Sequence, residues 1–369
     1  MEEPEVLHDI FFVLLYGGVI MLDVVAALYL LLRRGNAIAP EVTSPVRLRR
    51  WAAAFLIACA LSHVFWLFYV YHLSVTVYII VCFLDVLMLV PTIAGVMLSM
   101  LQDRYRTVWP VLVLMIPAFI LLTLCVIRED AALFLAASLY IYALFALLML
   151  FLFFAVRRYG RWLRDNYADL EHKEIWQSFL ILVVFLLFFV MYCTTTGESS
   201  VLAYLLDVDC IIIVVVLLWR VETLQQLNED APGEDASPAA EPAEDTQKAT
   251  AAPAIRANIG PLLKKHCEDG QLYLQSDLTL AQLAQAVGTN RYYLSQHFAQ
   301  QGITYNAYIN GLRIRHFVRL YHEAVADGRT FTAQQLAFES GFHSYSTFSA
   351  TFKQNMGTTV TAWMHGAQA

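Results

Sequence analysis

Long apolar runs and short polar breaks alternate through the first 227 residues, and then the pattern changes. Seven runs lie near residues 10–32, 51–72, 75–98, 108–127, 131–156, 175–195 and 200–221. Each is long enough to cross a bilayer as a helix, which takes about 20 residues. Beyond residue 256 the apolar positions fall at helical spacing with polar residues between them. Leu280, Leu283, Ala284 and Val287, for example, share one face of a helix. The pattern predicts an all-α chain: a seven-helix transmembrane bundle over 1–227, then an all-helical domain over 256–369.

Charge orients the bundle. Arg33, Arg34, Arg47, Arg49 and Arg50 fall in the first connection, Arg104 and Arg106 in the third, and Arg157, Arg158, Arg161, Arg164 and Lys173 in the fifth. Arg220 closes the last run on the same side. The second and sixth connections have no basic residue and the fourth has only Arg128. Basic loops stay in the cytoplasm, so the acidic start MEEPEVLHD is expected outside and everything after Arg220 inside. That start lacks the basic residues of a secretory signal, and the first run reads as a retained span.

Composition agrees and narrows the chemistry. The chain is 59% apolar and 15% charged, against roughly 45–50% and about 25% in soluble proteins. Cys59, Cys82, Cys125, Cys193 and Cys210 lie inside apolar runs, and Cys267 stands alone. With no paired-cysteine spacing, neither a disulfide framework nor a zinc site is expected. No nucleophile–base constellation and no glycine-rich phosphate loop appears. No catalytic residue, metal or cofactor is therefore expected.

Residues 228–255 are rich in Pro, Ala and acid, with almost no large apolar side chain. Such a segment cannot bury enough to fold, and it reads as a disordered tether. Just before it, Leu217, Val221 and Leu224 recur at four and then three residues. This stripe suits a short stalk or dimer seam, though three residues make a brief heptad signal.

The last domain contains a repeat. Leu283 to Phe298 reads LAQAVGTNRYYLSQHF, and Leu336 to Phe352 reads LAFESGFHSYSTFSATF. Each opens Leu-Ala, reaches a glycine after three further residues, and closes on an apolar pair four apart: Leu294 with Phe298, Phe348 with Phe352. Thr279 is placed to cap a first helix, Gly288 to end it in a left-handed turn, and Asn290 to cap a second. Thr332, Gly341 and Ser344 repeat those roles. This is the pattern of two helix-turn-helix units, in which the second helix enters the major groove. A long helix around Tyr308, Leu312, Arg315 and Arg319 joins them. Residues 256–369 carry nine Lys and Arg against six Asp and Glu, a modest positive balance for a DNA partner.

On these residues the domain resembles the DNA-binding domain of the AraC/XylS family of bacterial transcription regulators. The second unit carries most of the likeness: Leu336-Ala337, Gly341-Phe342, Phe348, Phe352-Lys353 and Gly357. Leu283-Ala284, Tyr308-Ile309 and Arg313 support it. The front half is similar to membrane-anchored members of that family, without a comparably sharp motif. The resemblance implies two recognition helices on double-stranded promoter DNA, with RNA polymerase as a further partner. It implies that Arg291, Tyr292, Ser295 and Gln296 face the groove, with Asn290 near phosphate. In the second unit it implies Tyr345, Ser346 and Thr347 at the groove, with Ser344 and Lys353 near phosphates. Ala350 stands where members often place a larger contact residue, Phe317 replaces a commonly small residue, and Val360 stands where Pro is usual. The implied protein is a regulator of the bacterial inner membrane, with the lipid bilayer as a partner, a small ligand or membrane stimulus as its signal, and a homodimer as one arrangement.

Several polar residues interrupt the apolar runs. Tyr16 lies seven residues before Asp23, and Tyr78 seven before Asp85, nearly two helical turns in each case. Tyr204 lies close to Asp207 on the stripe that starts at Ser200. His63 has apolar neighbours on its own face. Carboxylates in a span are costly and face the bundle interior. Two readings fit: a polar cavity that senses a ligand or proton, and polar pairing between helices. Asp209 points about 200° away from Asp207 and needs a partner of its own. A transporter or membrane enzyme with an accessory DNA-binding tail is the alternative class, with Pro91, Pro110 and Pro117 as places where helices would break.

Overall fold

The computed structural model describes residues 9–33, 35–40, 42–128, 131–170, 176–194, 200–227 and 259–368. Among the described residues the secondary structure is helical, apart from one isolated β-bridge. The chain forms two compact units, 1–159 with 174–227, and 160–173 with 228–369. The segment read as a tether, 228–255, lies outside the described residues.

Unit one holds α1 (Ile10–Leu32), α2 (Val46–His72), α3 (Val75–Met100), α4 (Trp109–Arg128), most of α5 (Ala131–Asn166), α6 (Trp176–Thr194) and α7 (Ser200–Thr223). Six of these are long and apolar enough to cross a membrane, and α6 is a shorter apolar helix. Phe11, Leu14, Leu147 and Phe154 stay exposed on their helices, as a lipid-facing surface would. Helix α5 continues past residue 156 to Asn166 because its basic end is amphipathic. Tyr159 and Leu163 are buried there, while Arg157, Arg158, Arg161 and Arg164 are exposed. Neither Pro91 in α3 nor Pro117 in α4 breaks its helix. Thr92 donates to the Met88 carbonyl at 2.6 Å, a local bond of the kind that lets embedded helices tolerate proline. Pro110 sits in the first turn of α4, where proline fits.

The end of α7 is clamped rather than free. Glu222 accepts the Tyr29 hydroxyl at 2.5 Å and the backbone N–H groups of Ala37 and Ile38 at 2.6 and 2.8 Å. Asn36 donates to the carbonyls of Val42 and Glu222 and accepts from Arg49 at 2.9 Å. Gln102 brackets the next turn, donating to the Gln225 carbonyl and accepting the Leu227 N–H. Leu217, Val221 and Leu224 are all buried in this arrangement. An apolar period of four and three serves the protein's own interior here, in keeping with a stripe too brief to favour a stalk or dimer seam.

Unit two begins with a short helix α8 (259–263) that runs into a π turn (Lys264–Asp269), followed by a 3-10 turn (Leu272–Leu274). Then come α9 (Leu280–Val287), α10 (Arg291–Gln300), α11 (Tyr305–Ala326), α12 (Ala333–Glu339), α13 (Tyr345–Met356) and α14 (Val360–Gln368). Thr279, Asn290, Thr332 and Ser344 each accept a backbone N–H at the start of a helix. Thr279 does so in a reciprocal capping box with Gln282. Gly288 and Gly341 both take positive φ, 73° and 87°, as the turns require.

Two apolar cores fill the unit. Leu283, Val287, Leu294, Phe298 and Ile309 share one with Ala168. Phe317, Leu336, Phe342, Phe348 and Phe352 share the other. Phe317, the bulky departure in the connecting helix, is fully buried with its ring 4.5 Å from Phe348. Val360 is buried at the start of α14, so both departures are absorbed into packing.

Candidate nucleic-acid interface and membrane polar cluster

The end of α9, the glycine turn and α10 form a compact step, and α12, its turn and α13 form a second. In each the later helix turns one apolar face inward, through Leu294 and Phe298 or Phe348 and Phe352. What remains outward on α10 is Tyr292, more than half exposed, with Arg291, Ser295 and Gln296 half-buried. On α13 Ser346 and Lys353 are exposed and Tyr345 and Thr347 half-buried, with Ala350 exposed among them. Asn290 and Ser344 sit at the helix starts with their side-chain oxygens committed to the caps, at 2.9 Å to Tyr293 N and 3.3 Å to Thr347 N. A helix N-terminus carries partial positive charge and unsatisfied N–H groups, which suits phosphate.

Residues 283–366 match the family model of a helix-turn-helix domain. This segment is an AraC-type helix-turn-helix, DNA-binding domain. No curated protein and no solved structure matches the chain.

Within that AraC-type domain, two residues that look basic and surface-facing in sequence do other work. Arg313 is buried: its Nε donates to the Tyr273 carbonyl at 2.8 Å and its Nη2 to the Gln275 carbonyl at 2.6 Å. It also lies 5.7 Å from the Phe342 ring centre, joining the segment before the first unit to the turn of the second. His316 is buried beside it in sequence, with Tyr273 and Arg319 both on Nδ1 at 2.7 and 3.2 Å. Arg315 and Arg319 stay exposed on α11.

In unit one, Asp23, His63, Asp85, Asp207 and Asp209 are all buried. The structure draws His63 to Asp207: Nε2 lies 3.5 Å from Asp207 Oδ1, while Nδ1 donates to the Cys59 carbonyl at 2.8 Å. The tyrosines turn elsewhere. Tyr16 donates to the His63 carbonyl at 2.6 Å, and Tyr204 donates to Asp9 at 2.5 Å. Asp85 receives the Trp66 indole N–H at 2.8 Å, and Tyr78 packs its ring on Trp66. Among the described residues, Asp23 Oδ2, Asp207 Oδ2 and Asp209 Oδ2 are buried without a hydrogen-bond partner. The sequence pattern did not signal Trp66, Asn36, Arg49 or Glu222, because their partners lie on other helices and loops. No cluster of three or more metal-ligating side chains occurs among the described residues.

Proposed function

We propose that the protein is a membrane-anchored transcription regulator of the bacterial inner membrane, with two helix-turn-helix units reading promoter DNA from the cytoplasm. The observation that carries this reading is the matched helix-turn-helix domain with its capped α10 and α13. Arg291, Tyr292, Ser295 and Gln296 read the first groove segment, and Tyr345, Ser346 and Thr347 the second. Gln pairs with adenine and Arg with guanine by geometry. Asn290, Ser344 and Lys353 lie along the phosphates. Seven crossings, with the N-terminus outside, follow from the loop charges. The domain limits 1–227, 228–255 and 256–369 belong to this reading.

The bundle supplies the stimulus response. Asp23, His63 and Asp207 are its receiving group, because buried carboxyl oxygens without donors are costly unless a proton or ligand meets them. The acidic tether sets local concentration, so bundle assembly governs occupancy by avidity. A transporter or membrane enzyme with an accessory tail is the weaker reading, since α3 and α4 run unbroken through their prolines.

Chromosomal occupancy tests the reading. Wild-type protein is expected to occupy discrete promoters, and an Arg291→Ala, Gln296→Ala double variant to lose them. Unchanged occupancy would remove α10 from the interface. For the bundle, Asp207→Asn is expected to abolish the stimulus response; a retained response removes Asp207 from sensing.

A further inference from the structure

Residues 160–173 belong to unit two, although 160–166 are the end of the long helix α5 whose apolar part lies in unit one. Their placement is specific. Asn306 and Asn310 lie four residues apart on one face of α11. The Asn306 amide donates to the carbonyls of Tyr167 and Ala168 at 3.2 and 2.6 Å, and the Asn310 amide to the Ala168 carbonyl at 3.1 Å. Tyr167 forms the isolated antiparallel bridge with Thr279, the cap of α9. Ala168 is buried in the same core as Leu283, Leu294 and Phe298. Trp162, one turn and a half earlier, lies under the Arg291 guanidinium, 5.8 Å from ring to cation.

Arg291 is the first residue of α10. In a helix-turn-helix the N-terminal residues of the second helix meet the base edges. A guanidinium held over an indole face is spent in a cation–π contact and is not extended toward a groove. The segment therefore occupies the end of α10 that DNA must reach. Its recognition is built on backbone carbonyls and one small buried side chain, so it is a fitted contact.

We propose that residues 162–169 are an autoinhibitory strap that competes with DNA for the first helix-turn-helix unit. This rests on the reading of α10 as a recognition helix. The strap comprises the last residues of α5, which starts at Ala131, and the three that follow, so a change in that helix is a direct route to strap release.

The test uses full-length protein in lipid nanodiscs and the tightest duplex selected from a random-sequence pool. Affinity is measured at one fixed salt concentration, and amide hydrogen exchange is followed at residues 168–169, buried beyond the end of α5. Saturating duplex is expected to remove the protection of those amides. Ala168→Asp, outside the matched segment 283–366 though in the same core, is expected to remove it without DNA and to tighten binding by about tenfold or more, as when only a tenth of the molecules are competent beforehand. Trp162→Ala is expected to tighten binding by a smaller factor, and it decides alone should Ala168→Asp unfold the unit. Duplex bound with 168–169 still protected overturns the strap and leaves the DNA-binding reading standing. Affinity unchanged in both variants does the same. If no duplex is retained by wild type or either variant, the DNA-binding reading fails and the strap fails with it.

Discussion

Tyr29 donates its hydroxyl to Glu222 at 2.5 Å, tying the last turn of α1 to the last turn of α7. The other oxygen of the same carboxylate takes the N–H groups of Ala37 and Ile38. One buried side chain thus satisfies three donors, two of them backbone groups in a loop with no other partner in a helix. Glu222→Ala removes the charged acceptor of three part-buried donors and is expected to cost about 2 kcal/mol, within the roughly 1.5–3 kcal/mol of a hydrogen bond to a charged group. Tyr29→Phe removes one bond and is expected to cost about 1 kcal/mol. Thermal unfolding of the detergent-purified protein orders the variants. A Glu222→Ala protein as stable as wild type would show that the clamp contributes nothing to stability.

Gly341 and Gly288 end corresponding helices, yet they differ in what surrounds them. A Cβ on Gly341 would sit 2.7 Å from the Leu274 Cα and carbonyl oxygen, whereas one on Gly288 meets nothing within 4 Å. Both have positive φ, so alanine costs about 1–2 kcal/mol of left-handed strain at either site. Gly341→Ala must also push two backbone segments apart. It is expected to destabilise the domain by clearly more than Gly288→Ala, measured as loss of melting temperature in otherwise identical full-length proteins. Equal losses would mean that the Leu274 contact yields freely.

Legibility followed the range of the contact. The caps at Thr279, Asn290, Thr332 and Ser344 were readable because each bond closes within three residues. The apolar runs were readable because burial in lipid needs only length and composition. Helix α5 ran past its apolar run because Tyr159 and Leu163 continue the inward face among arginines. The stripe of Leu217, Val221 and Leu224 was ambiguous for a physical reason: periodicity shows that a face is covered, and not by which chain. His63 with Asp207, Glu222 with Tyr29, and Ala168 with Asn310 join residues more than a hundred positions apart. No local pattern marks such pairs. The candidate groove residues were named from their place on a recognition helix; the position of Trp162 against Arg291 was not readable at all.

Lys353 is exposed on α13, the position assigned to phosphate contact. Removing a single phosphate contact weakens binding to all sequences alike and lowers the dependence of log K on log salt by about one. Lys353→Ala is expected to do this while leaving sequence preference intact. Gln296→Ala, in contrast, is expected to relax preference at one base position, by about 1–3 kcal/mol of discrimination. Affinities of the full-length protein for selected and scrambled duplexes, across a salt series, separate the two. Loss of sequence preference in Lys353→Ala would place that side chain on a base.

His316 is expected to make the DNA-binding domain sensitive to acid. Tyr273 and Arg319 both approach Nδ1, and arginine can only donate. Nδ1 is therefore the acceptor and the ring is neutral when folded. Burial, with Arg319 adding to it, holds the His316 pKa below its ordinary value near 6.5. The folded domain then binds this proton less readily than the unfolded chain does. Its stability from this group is fully present above about pH 6.5 and is lost as pH falls from there through the lower folded value. His297, whose pKa burial also lowers, adds in the same direction. Protease susceptibility of unit two in the full-length protein is expected to rise as pH drops from about 7.5 to about 5, the range in which histidine changes charge. His316→Gln keeps a polar side chain that does not titrate there, and it is expected to flatten much of that rise. An unchanged pH profile in His316→Gln would place the acid sensitivity elsewhere in the domain.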